Sequence, residues 1–123
     1  MSERKKESPL RNKSFRFAVR ITRLYKYLLE KKKENVLNKQ LLRSGTAVGA
    51  LIRETQNAES KADFIHKMGI AQKECDESIY WLELLNETDF INKKEFDNIV
   101  TGATELLKMI RSSIMTARKN IRL

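Results

Sequence analysis

Between Phe64 and Leu85 an apolar or small residue recurs at Phe64, Met68, Ala71, Cys75, Ser78, Leu82 and Leu85, a 4-3-4-3-4-3 spacing. A mean period of 3.5 draws one stripe along a helix, whereas a strand would alternate with period two. Such a stripe is buried only against another helix running alongside it, so this segment demands helical partners of comparable length. Ile65, Ile79 and Trp81 widen the stripe on either side.

The partners are legible on both sides. Ser60-Lys61-Ala62-Asp63 has the form of a capped start for this third helix. Asn92-Lys93-Lys94-Glu95 reads as a capping box with Ile91 and Phe96 at the staple positions. Phe96, Ile99, Ala103, Leu106, Ile110, Ile114 and Ala117 continue a fourth helix at seam spacing. Earlier, Ser8-Pro9 suits a cap and first helical position, and Phe17, Ile21, Leu24 and Leu28 recur at 4-3-4, flanked by Ala18, Tyr25 and Leu29. This first helix fades into Lys31-Lys32-Lys33, cations that suit a helix C-terminus. A second helix is expected from a cap at Asn38 to about Asn57, with Leu41, Val48, Leu51 and Ile52 apolar. It is dense in small residues, among them Ser44, Gly45, Ala47, Gly49 and Ala50. Each glycine costs about 1 kcal/mol of helix propensity, a cost that close approach of a neighbouring helix would explain. Short connections make the neighbours antiparallel. The expectation is an all-α, antiparallel up-down four-helix bundle over residues 14–120, behind a flexible basic arm of residues 1–13, with third and fourth helices about 38 to 40 Å long.

One Pro and four Gly in 123 residues leave little punctuation for anything but long helices. No run approaches the ~18 apolar residues of a membrane span, and the polar N-terminus does not read as a secretory signal. A lone Cys75 forms no internal disulfide, which agrees with a reducing compartment, so a cytoplasmic protein is expected. The net charge of +9 is unevenly spread. Residues 1–33 hold 12 Lys and Arg against 3 acids, residues 34–92 hold 6 against 10, and residues 93–123 hold 7 against 3. Basic ends around an acidic middle point to partner recognition or to complementary packing between subunits.

The segment from Gln40 through Arg43-Ser44-Gly45-Thr46-Ala47-Val48-Gly49-Ala50 to Glu54 resembles a signature of the bacterial four-helix-bundle family named after the 23S ribosomal RNA intervening-sequence protein. Phe64 to Ala71, Glu74, Glu77 and Leu82 to Leu85 match a second stretch, and the likeness spans about residues 14–118. It departs at Leu51, where many members carry Asn, and at Thr55. The resemblance implies a homo-oligomer, a pentamer first, with no known enzymatic activity. A branch similar in fold, the accessory variability determinants of diversity-generating retroelements, partners a reverse transcriptase and binds nucleic acid.

Chemistry-bearing constellations are sparse. A di-metal carboxylate site in a bundle needs Glu-x-x-His pairs on two helices, and the chain has one histidine, His66. Cys75 lies on the seam with no neighbouring base or cation to form a thiolate, and no glycine-rich phosphate loop is present. Neither catalytic residue, metal nor cofactor is therefore expected. Two groups of residues remain. Arg43, Arg53, Glu54, Glu74, Glu77 and Trp81 are candidates for setting helix register or an interface, against the plainer reading of solvated helix flanks. Lys13, Arg16, Arg20 and Arg23, at 3-4-3 spacing, make a basic stripe on the first helix, and Lys108, Arg111, Arg118 and Arg122 a broken one on the fourth. Clustered Lys and Arg are the footprint of a phosphate-binding face, so RNA or DNA, or a nucleic-acid-processing protein such as a reverse transcriptase, is the expected partner. An adaptor meeting an acidic protein, or a merely solvated face, are the alternatives. Tyr25, Tyr27, Tyr80 and Trp81 are the aromatics available for stacking on bases, but Tyr80 and Trp81 sit beside the third-helix seam, where filling an inter-helix or inter-subunit contact is the plainer reading.

Overall fold

The computed structural model describes the backbone of residues 8–122 and the side chains of residues 8–120. Residues 1–7 of the expected arm, and the side chain of Arg122, lie outside the described residues. Four helices follow one another: α1 (Pro9–Tyr27), α2 (Val36–Glu54), α3 (Lys61–Glu87) and α4 (Lys93–Arg122). Each packs on the next, and α4 returns to α1 along the loosest of the four seams. The protein is an all-α four-helix bundle. At 27 and 30 residues, α3 and α4 run about 40 and 45 Å.

The helix starts follow their side-chain caps. Ser8 Oγ accepts the Arg11 N–H, with Pro9 at the first helical position. Residues 9–13 are therefore helical, and the boundary expected at residue 13 falls inside α1. Ser60 Oγ accepts from Asp63 N at 3.0 Å. The capping box is complete: Glu95 N–H donates to Asn92 Oδ1 at 2.8 Å and Asn92 N–H to Glu95 Oε1 at 3.0 Å.

The start of α2 differs from the expectation of a cap at Asn38. The carboxylate of Glu34 accepts from the N–H groups of Val36, Leu37 and Asn38, so the orphan amides of the first turn are satisfied one turn earlier. Asn38 is instead fully buried and donates Nδ2–H to the Tyr25 carbonyl at 2.9 Å. That carbonyl lies just before a π-helical turn, Leu28–Lys32, which ends at Lys33 in the left-handed region with φ of 58°. A π turn shifts the backbone hydrogen-bond ladder by one residue, and the Asn38 amide binds where the ladder changes.

Each seam between consecutive helices has its own device. On α1–α2 the two glycines admit the neighbouring helix: a Cβ on Gly49 would stand 3.3 Å from the Ser14 carbonyl oxygen, and one on Gly45 would meet the Ile21 side chain. On α2–α3 the buried Ser78 hydroxyl donates to Ser44 Oγ at 2.9 Å. On α3–α4 Cys75 Sγ lies 3.4 Å from the Ala103 carbonyl. Ile21, Leu28, Leu41, Met68, Leu82, Leu85, Leu106 and Ile110 fill the centre and are fully buried, each burial contributing about 1.5–3 kcal/mol. Replacing Ala71, also fully buried, by Asp would put an unpaired charge at this centre.

Candidate nucleic-acid interface

On the α1–α4 side, the expected basic stripe lines a groove of about 320 Å³. Lys13, Arg16, Arg20 and Arg23 stand over it with Phe15, and Gly102 of α4 contributes to its floor. Nothing lies within 4 Å of where a Cβ on Gly102 would sit, so the floor is open.

Two of the four cations are braced against α4. Lys13 Nζ pairs with Glu105 Oε1 at 2.6 Å, and this contact holds the Glu105 carboxyl below the usual carboxylate range. The Arg20 guanidinium donates to the Asn98 carbonyl at 3.3 Å and to Asn98 Oδ1 at 3.2 Å. Asn98 and Glu105 are seven residues apart and share one face of α4. Arg16 and Arg23, also seven apart, are exposed and have no ion pair among the described residues. Their charges face solvent at a separation of about 10 Å along the helix. Tyr27, 40% exposed, follows Arg23 by one turn on the same side of α1.

The second stripe does not join the first. Arg111 and Arg118 are exposed and again seven apart, but Arg111 is six residues beyond Glu105, about 120° round α4 from the face that reaches α1. Arg111 lies close enough to α3 to act electrostatically on Cys75. Lys108 is exposed and stands beside a cleft with Ser8, Pro9 and Leu10 at the start of α1.

The register candidates separate into two places. Arg43 of α2 forks across to α3, with Nη1 3.2 Å from Glu74 Oε1 and Nη2 2.6 Å from Glu77 Oε2. Glu77 Oε2 also accepts the Trp81 indole N–H at 3.1 Å. The indole hydrogen bond, with Arg43 beside it, holds the Glu77 carboxyl below its usual range. The Trp81 ring meets Tyr80 edge-on at 4.9 Å. Arg53 makes no ion pair with a described carboxylate; its guanidinium lies 5.3 Å over the Phe15 ring, a cation–π contact worth about 0.5–1 kcal/mol at an exposed site. Glu54 is exposed and has no ion pair among the described residues.

Asn98, Glu105, Gly102 and Phe15 are the parts of this site that the apolar seams do not mark. The spacing within α4 does carry one signal: Asn98, Gly102 and Glu105 recur at 4-3 on a single polar strip. Among the described residues, no three His, Cys, Asp or Glu side chains gather as a metal ligand set, and no helix is long and apolar enough to cross a membrane. Burial pushes the Cys75 thiol up to about 12.

A family model described as the 23S rRNA-intervening sequence protein matches residues 6–112. Among solved structures, the chain is similar to a protein with unknown function from the S23 ribosomal protein family of Bacteroides thetaiotaomicron VPI-5482. The two are 50% identical, the match covers 85% of this chain and 97% of that one, and the TM-score is 0.85. No curated protein matches.

Proposed function

This chain belongs to the 23S rRNA-intervening sequence protein family, and on that footing we propose that it is a non-enzymatic, self-associating bundle that binds the phosphate backbone of nucleic acid along α1. The observation that carries the reading is the bracing of Lys13 and Arg20 against α4. It fixes α1 so that Arg16 and Arg23 present their charges outward beside an open groove. Arginine forks match phosphate oxygens, and backbone contacts of this kind position a nucleic acid without reading its sequence. Glu105 offsets the charge of Lys13, so the arginines dominate the contact. Self-association multiplies a weak site by avidity. On this reading a reverse transcriptase, or another nucleic-acid-processing protein, shares the bound nucleic acid.

Fluorescence anisotropy at low salt, with labelled RNA, labelled DNA and an acidic polymer as competitor, tests the reading. RNA or DNA is bound, and the binding is weakened in the triple variant Arg16→Gln, Arg20→Gln, Arg23→Gln with helicity retained. Equal binding by parent and variant overturns it, and capture of the acidic polymer alone gives precedence to the adaptor reading.

A further inference from the structure

The opposite flank of α1 carries a second surface. Where α1 and α2 come closest, a furrow of about 410 Å³ runs between them, floored by Ala18, Gly49 and Ala50 and rimmed by Phe15, Arg11 and Arg53. Its floor is shallow because the two helices pack closely there: a Cβ on Gly49 would stand 3.3 Å from the Ser14 carbonyl oxygen. Phe15 is 53% exposed beneath the Arg53 guanidinium. Both charges on this rim are positive.

A surface of the complementary kind lies on the outer side of α3. Asp76, Tyr80, Glu83 and Glu87 recur there at 4-3-4 and are all exposed, with Lys73 the one cation in line before them. Tyr80 is 55% exposed, and its ring is held in place through a chain of contacts: Arg43 to Glu77, Glu77 to Trp81, Trp81 edge-on to Tyr80. An aromatic knob flanked by carboxylates therefore stands ready on the same chain that carries a cation-rimmed furrow.

We propose that a second copy of this chain seats its Tyr80 in the α1–α2 furrow, with its Asp76 and Glu83 meeting Arg11 and Arg53. The proposal rests on the self-association named above and specifies its faces. Pairing two furrows would set arginine against arginine, and pairing two α3 faces would set carboxylate against carboxylate, so both symmetric contacts are disfavoured. The contact is instead head-to-tail: each copy offers a knob to one neighbour and a furrow to the other, which closes into a ring or extends as a filament. The furrow and the α1–α4 groove share only Phe15, so such an assembly leaves Arg16 and Arg23 open to nucleic acid.

Multi-angle light scattering with circular dichroism as the fold control tests the pairing. The double variants Arg11→Glu with Arg53→Glu, and Asp76→Lys with Glu83→Lys, each fall from the parent mass towards the 14.4 kDa monomer, and all four changes in one chain restore the parent mass. If a double variant loses helicity, Tyr80→Ala carries the test and lowers the mass alone. Doubles or Tyr80→Ala that keep the parent mass overturn the face assignment while self-association stands, as does a helical quadruple variant that stays monomeric. A parent at 14.4 kDa at micromolar concentration overturns self-association itself.

Discussion

Gly45 and Ile21 meet so closely across the α1–α2 seam that a Cβ on Gly45 would fall 2.9 Å from Ile21 Cγ1. Ile21 is fully buried and branched at Cβ, so it has little room to yield. Gly45→Ala is expected to destabilise the bundle by about 1–3 kcal/mol through overpacking, despite the gain in helix propensity. Gly102→Ala, where the added methyl meets open space, is expected to stabilise it by about 0.5–1 kcal/mol. Urea unfolding midpoints check both signs.

The Glu77 carboxyl has its pKa lowered by the Trp81 N–H and by Arg43. A group with a depressed folded pKa contributes its stability above the unfolded value, about 4.3 for Glu, and loses it as pH falls through the lower folded value. Thermal midpoints of the parent should therefore fall more between about pH 5 and pH 3 than those of Glu77→Gln. The effect is small because the pair is partly exposed and screened. Superimposable pH profiles would remove the hydrogen-bonded pair from the account.

Cys75 is fully buried, and its thiol is pushed up to about 12, so the nucleophilic thiolate is scarce at neutral pH. A thiol-specific reagent should leave the native protein unmodified at pH 8 and modify it promptly in denaturant. Rapid native modification, followed by absorbance, would contradict the packing of the α3–α4 seam.

Asn38 is fully buried, with one amide hydrogen bond to Tyr25 and no partner for Oδ1 among the described residues. Asn38→Asp removes the donor and aims a carboxylate towards a carbonyl oxygen. An uncompensated buried charge of this kind costs about 3–5 kcal/mol, so the variant should unfold at markedly lower urea. Protonating the new carboxyl at acid pH should recover part of the loss, which the same titration at pH 4 reads out.

The bundle itself was legible because burial follows periodicity within each helix. Of the α3 seam, Met68, Ala71, Cys75, Ser78, Leu82 and Leu85 are buried, and only Phe64, in the first turn, is partly buried. Asn38 misled because asparagine favours both caps and buried polar sites, and the deciding residue was Glu34, whose carboxylate occupies the cap. The α1–α4 braces were illegible for another reason. Which α4 residue faces Lys13 or Arg20 depends on the relative rotation and stagger of two helices, and neither is set by the pattern of one. The Arg53–Phe15 contact depends on the close α1–α2 approach in the same way. The small-residue composition of α2 announced that approach without giving its address.

Phosphate binding along α1 is read most sharply from the salt dependence of nucleic-acid affinity. For the parent, the logarithm of the binding constant should fall linearly with the logarithm of salt concentration, by about 0.7 for single strands or 0.9 for duplex per phosphate neutralised. Replacing Arg16, Arg20 and Arg23 together by Gln should flatten the line by one such increment for each arginine that contacts a phosphate, with helicity and assembled mass unchanged. A variant with the parent's slope and affinity, or a parent that binds nothing at low salt, would contradict the account and leave the α1 stripe a solvated helix face.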